Sequence, residues 1–317
     1  MKFLSANLAW LAGFALFGAA AMIAFGFVVF PHPAAVRLSP KLGGVGLEFG
    51  LNLFVLAFCF AALPGARRPE HSPQAFGVAQ GIWGIAGFVI VLAGGGVLMA
   101  NVLTIMNFGL IARHSPARID VSGQDFLISC FVAGEVLAAF WVAWYFRRQG
   151  PQRLADGSPA GLAWRAASPR AYLAASLCAL GLIGLVVILF HAVPPDTTKL
   201  EALPMAKLFS GSGISMLPVL FVAVFLAPAL EEMVFRGVAF AGFAARLGPL
   251  WAGIITTLAF MAAHAPEKIY YPPGFIDIGL MAVAAVWLRL KYRSIRPCIL
   301  LHILYNAGSM LAASLMP

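Results

Sequence analysis

Charge is what this sequence has least of. Only 10% of its 317 residues are Asp, Glu, Lys or Arg, against about 25% in a soluble domain. That shortage excludes a fold that covers itself with polar surface in water. Cysteine is scarce too: Cys59, Cys130, Cys178 and Cys298 each fall in an apolar stretch, with no CxxC or zinc-type spacing. They read as small buried hydrophobes and exclude a disulfide framework. No HExxH pattern is present, and the run Gly94-Gly95-Gly96 is not followed by Lys and Ser or Thr. It reads as close helix packing and excludes a phosphate loop. No internal repeat is evident, which speaks against a transporter built from inverted halves.

What is present is apolar sequence. Hydrophobic residues make up 62% of the chain and the mean hydropathy is +0.91. About 20 apolar residues cross a hydrocarbon core of about 30 Å. Stretches at 7–30, 48–65, 75–100, 125–146, 171–194, 218–246, 249–266, 274–291 and 296–315 reach or approach that length. The fold expected is all-α, a polytopic transmembrane helix bundle of about eight to nine spans. The first stretch is too long for a signal-peptide core and reads as an uncleaved span. The short piece 101–112 either extends the third span or lies along the surface.

The net charge of +9 is the signature of Lys and Arg kept in loops on the anionic-lipid side, and it calls for no nucleic-acid partner. With the N-terminus inside, the inner connections collect most of the basic residues, among them Arg147, Arg148, Arg153, Arg165 and Arg170. The basic connection 147–170 reads as a boundary. Residues 1–200 form N-terminal spans of unassigned role, and 201–317 hold nearly all the polar residues of interest.

An ionisable side chain at the centre of a span costs about 2.5–3.5 kcal/mol on insertion scales, so each is a functional candidate. The segment 228–237 packs Glu231, Glu232 and Arg236 into about one turn and a half of apolar helix. Glu232 and Arg236 stand four apart with the acid first, the favourable order for a helical ion pair. Glu231 has Phe235 at that spacing and no such partner, so it is free to act, and Glu232 reads as the ion-paired support. Glu231 lies roughly 22 Å from Arg246, and His264 roughly 20 Å from Trp251, on the two arms of a hairpin turning near Gly248. Those two meet at similar depth. His302 and Asn306 share a face of the last span but start nearer its inner end, by roughly 9 and 15 Å.

One Glu, two His and one Asn in a buried, partly wet cavity make a hydrolytic set. Glu231 takes a proton from water that His264 helps to hold, and His302 and Asn306 donate to an oxyanion at a scissile carbonyl. No Ser or Cys is placed as a nucleophile, so attack by water is the economical route. A Glu with two His on separate helices is a weak zinc set, and the reading calls for no metal and no cofactor.

At these residues the chain resembles the CPBP (CAAX protease and bacteriocin-processing, or Abi) family. The pattern Glu-Glu-x-x-x-Arg stands at Glu231 to Arg236, Phe-x-x-x-His at Phe260 to His264, and His-x-x-x-Asn at His302 to Asn306. The first motif is specific by itself, and the ordered set is more so. The resemblance covers roughly 210–315. It implies a helix bundle like the type II CAAX prenyl endopeptidases, the first Glu as base and the later His and Asn as oxyanion site. A substrate peptide or protein, possibly lipidated, and a bacterial plasma membrane follow as expectations. The competing reading is a non-catalytic scaffold for another membrane protein, and a proton-coupled transporter using Glu135 and Glu231 is a third. Glu135 and Asp277 are intramembrane acids outside the motifs with no role that the sequence decides, and His191, Tyr270 and Tyr271 read as interface residues.

Overall fold

The computed structural model describes residues 77–114, 119, 120, 123–196, 198, 208, 209 and 216–315. The expected spans at 7–30 and 48–65, and Cys59, lie outside them. All regular structure among the described residues is helical, and six stretches are long and apolar enough to cross a membrane. The protein is a multi-pass helical membrane protein. Helix α1 runs Val78–Ala112, α2 Gln124–Arg148, the short α3 Pro151–Ala155 and α4 Pro169–Ala192. The piece 101–112 therefore continues the helix before it.

The stretch Met216–Ala263 is 48 residues long, far more than one crossing needs. It opens with α5 (Met216–Phe221), widens into a π turn at Val222–Leu226, and returns to α geometry in α6 (Ala227–Glu232). A second π turn, Met233–Ala239, leads into α7 (Phe240–Ala263). Within α7, Gly248 has φ 82° and ψ 165° and is followed by Pro249. A side chain disfavours that backbone and a proline nitrogen cannot continue the ladder, so the helix breaks there. The chain folds back on itself: Ala252 joins the core of Ala239, Phe240 and Phe243, and the Phe260 ring meets Phe235 with centroids 5.1 Å apart. A short helix α8 (Ala265–Lys268) follows, then α9 (Pro273–Tyr292) and α10 (Arg296–Ser314).

The chain divides into two compact units. In the one containing Val89–Gly134, α1 and α2 approach at glycines: a Cβ on Gly134 would stand 2.6 Å from the Leu92 carbonyl, and one on Gly96 3.2 Å from that of Cys130. The glycine run here serves helix packing. The second unit holds residues 77–88 and 135–315 of those described. In it α10 packs along α4, and α9 packs against α4, α7 and α10. Its surface suits lipid and its interior does not look like oil. Leu173, Leu180, Leu250, Leu258 and Leu311 are exposed, while Glu232, Arg236 and Arg289 are fully buried. Of the cysteines, Cys298 is buried, Cys130 and Cys178 are partly so, and all three are free thiols.

The basic connection that reads as a boundary is docked structure. Arg289 of α9 donates from its guanidinium to the carbonyls of Ser158 (3.0 Å) and Gly161 (2.7 Å). The Ile295 amide donates to Ala163 (3.1 Å), and Ser294 Oγ to the Arg165 carbonyl (2.6 Å). Ser294 and Ile295 are fully buried, so α10 begins inside the bundle, beneath this loop. Tyr271 is buried as well, its hydroxyl donating to the Val193 carbonyl at 2.9 Å.

Candidate active site

Glu231 ends up where two histidines point at it. Its Oε2 lies 3.9 Å from His264 Nε2 and 3.8 Å from His302 Nε2. These are too long for direct hydrogen bonds and of the length that one bridging water spans. Among the described residues none donates a hydrogen bond to this oxygen. Glu231 and His264 are 17% and 18% exposed, whereas His302 is 3%. The open edge of the site is thus the Glu231–His264 edge.

The hairpin explains the first contact. Phe243 with Ala252, Phe235 with Phe260 and Glu231 with His264 are all mirror-related about the Leu247–Gly248 bond. Any antiparallel pair of helices turning there brings those positions level. The gap that the sequence leaves for His302 is closed in the structure, where its Nε2 lies 3.8 Å from Glu231 Oε2.

The ring orientations are set by the nitrogens facing away from Glu231. His264 Nδ1 lies 2.9 Å from the Phe260 carbonyl. A carbonyl only accepts, so Nδ1 carries the proton of the neutral ring and Nε2 presents a lone pair. His264 stands one residue beyond the end of the span Met216–Ala263, and burial pushes its pKa below the ordinary histidine value of 6.5, the Phe260 carbonyl pulling the other way. His302 Nδ1 is likewise tied, 3.0 Å from Glu232 Oε1.

Glu232 is the centre of a buried network. The same Oε1 takes the Arg236 guanidinium at 2.8 Å, with both side chains fully buried. Arg236 reaches on to the Ala282 carbonyl at 3.3 Å and lies 4.5 Å above the Phe260 ring. Phe260, the first residue of its motif, also touches His264 and His302, with ring centroids 4.5 and 5.7 Å away. It is the apolar post on which Arg236 and both histidines lean, a role its spacing from His264 does not reveal.

Asn306 is placed by a proline. Pro228 has no N–H, and in a π turn its partner would be the carbonyl five residues back, that of Ala223. Asn306 Nδ2 supplies the missing donor, 2.9 Å from that oxygen. A primary amide has two N–H groups, so one remains. Glu135 of α2, which the sequence left open, is buried with Oε2 accepting nothing from the described residues. Asp277 takes a hydrogen bond from the Tyr305 hydroxyl, tying α9 to α10 one position before Asn306. Among the described residues no group of three or more His, Cys, Asp or Glu side chains is arranged to hold a metal ion.

No curated protein and no solved structure matches the chain. Residues 213–308, which contain all three motifs, match the family model described as type II CAAX prenyl endopeptidase Rce1-like, in agreement with the family that the motifs resemble.

Proposed function

We propose that the protein is an intramembrane endopeptidase in which Glu231 activates water for attack on a peptide carbonyl. The observation that carries the reading is the convergence of His264 Nε2 and His302 Nε2 on Glu231 Oε2 at 3.9 and 3.8 Å. A water giving one hydrogen to Glu231 and the other to the His264 lone pair turns its own lone pair toward substrate. As its oxygen bonds to the carbonyl carbon, its proton passes to Glu231 and the carbonyl oxygen becomes an oxyanion. Asn306 donates to that oxygen through its second N–H. His302 donates from Nε2 when the ring carries its second proton, a charge that the Glu232 carboxylate offsets. Collapse of the intermediate breaks the C–N bond, and the proton on Glu231 leaves with the amine.

Glu232 and Arg236 act through His302 and keep the motif turn in place. Residues 201–317 supply this machinery, and those before 201 have no assigned part in the chemistry. The substrate is a peptide or protein tail at the membrane, lipidated or not. The N-terminus faces the inside of a bacterial plasma membrane, as the basic loops suggest.

The test is cleavage of a peptide library by the purified protein in lipid, wild type beside Glu231→Ala. Cleavage lost in the variant and indifferent to chelators is expected. Loss on chelation returns the metal reading, and equal cleavage by both proteins sinks the role of Glu231. If neither cleaves any peptide, the scaffold reading takes precedence.

A further inference from the structure

Two π turns flank the short helix that carries Glu231 and Glu232, and each has a carbonyl bonded by a side chain from another helix. On the first turn Asn306 holds Ala223. On the second, Arg289 Nε donates to the Arg236 carbonyl at 3.2 Å. A π turn holds one residue more than an α turn. Its collapse to α geometry would rotate one flank against the other by about 100°, a residue's worth of helix. That rotation would carry Glu232 away from His302 and Glu231 away from both histidines. The phase of the two acids therefore depends on what keeps each turn wide.

We propose that Arg289 is a positioning residue for the peptidase site, and the claim rests on that reading of the site. Arg289 makes no hydrogen bond to the side chains of Glu231, Glu232, His264 or His302, and no motif includes it. It is fully buried, its guanidinium lies 5.5 Å from the Phe240 ring centroid just past the second turn, and its remaining donors go to the carbonyls of Gly157, Ser158 and Gly161 of the docked loop. The planar fork reaches the Arg236 carbonyl and the loop at once, which a lysine ammonium at the end of a flexible stem does not do. Arg289 is thus the counterpart of Asn306, acting on the second turn through the Arg236 carbonyl.

The experiment compares Arg289→Lys and Arg289→Gln with Gly157→Ala. The last strains the loop end of the Arg289 contacts and leaves the bond to the Arg236 carbonyl in place, because a Cβ there would sit 2.8 Å from that of Arg293 while the Gly157 carbonyl is 3.5 Å from Arg289 Nη1. The first readout is the His302 Nδ1–H resonance in histidine-labelled protein, assigned by its loss in His302→Gln. Both Arg289 variants are expected to shift that resonance and to lower kcat about tenfold with KM within about twofold, on a peptide that wild type cleaves. Gly157→Ala is expected to leave both near wild type. An unmoved His302 resonance in the Arg289 variants overturns the proposal, as does an equal effect from Gly157→Ala, which would make Arg289 an anchor of the loop only. Because the resonance needs no substrate, it decides the matter even if wild type cleaves nothing.

Discussion

His302 and Arg236 share one oxygen. Glu232 Oε1 accepts from His302 Nδ1 at 3.0 Å and from the Arg236 guanidinium at 2.8 Å, so one buried carboxylate both neutralises a cation and orients the His302 imidazole. Removing one member leaves the others uncompensated. Glu232→Gln or Arg236→Met is expected to cost about 3–5 kcal/mol of stability, and the double change Glu232→Gln/Arg236→Met clearly less than the sum of the singles. Denaturation of the three variants in the same detergent measures this, and additive losses would show that the pair is not coupled.

Glu231 makes no such contribution to the fold, since its Oε2 accepts nothing from the described residues. Glu231→Gln keeps the shape and removes the base. Cleavage should fall by about 10²–10⁴, with the thermal midpoint no lower than that of wild type. A midpoint that drops with activity would mean that Glu231 is structural.

His264 gives a pH dependence of definite sign. Its folded-state pKa lies below the ordinary 6.5 because burial disfavours the charged ring. Below that value the unfolded chain binds the proton more readily than the native one, so native stability is full above about pH 6.5 and declines as pH falls through it. Thermal midpoints at about pH 7.5 and 5.5 should differ more in wild type than in His264→Gln. An identical slope in both would remove His264 from the balance.

Gly248 turns the hairpin in a backbone region that only glycine occupies readily, with nothing near its missing Cβ. Gly248→Ala is therefore a test of backbone strain without steric clash. It should cost about 1–3 kcal/mol, and cleavage should weaken with it, since the turn sets the level at which Glu231 meets His264. Unchanged stability would show that the turn adapts.

Much of the site is legible along the chain because it rests on local periodicity. Four-residue spacing joins Glu232 to Arg236 and puts His302 and Asn306 on one face, and a turn at Gly248 makes Glu231 level with His264. Pro228 in an apolar helix was a readable signal that a carbonyl nearby would need a donor, though it does not say that Asn306 provides it. Arg289 gave less: at the end of a span it looks like one more loop charge, and only its full burial separates it from Lys291 and Arg293.

The sequence by itself determined that the chain is a membrane-spanning helical bundle, because so few charges leave lipid as its only solvent. It also singled out the residues of the last third that are candidates for the chemistry, because an ionisable group inside a span is costly. The tertiary structure alone decided which histidine nitrogens face Glu231, which donors bond the two widened turns, and that His302 of α10 reaches Glu231. Those outcomes depend on the rotation and depth of whole helices against one another. Contacts between residues as distant in the chain as Arg289 and Gly161 set them, and no local spacing encodes such a contact.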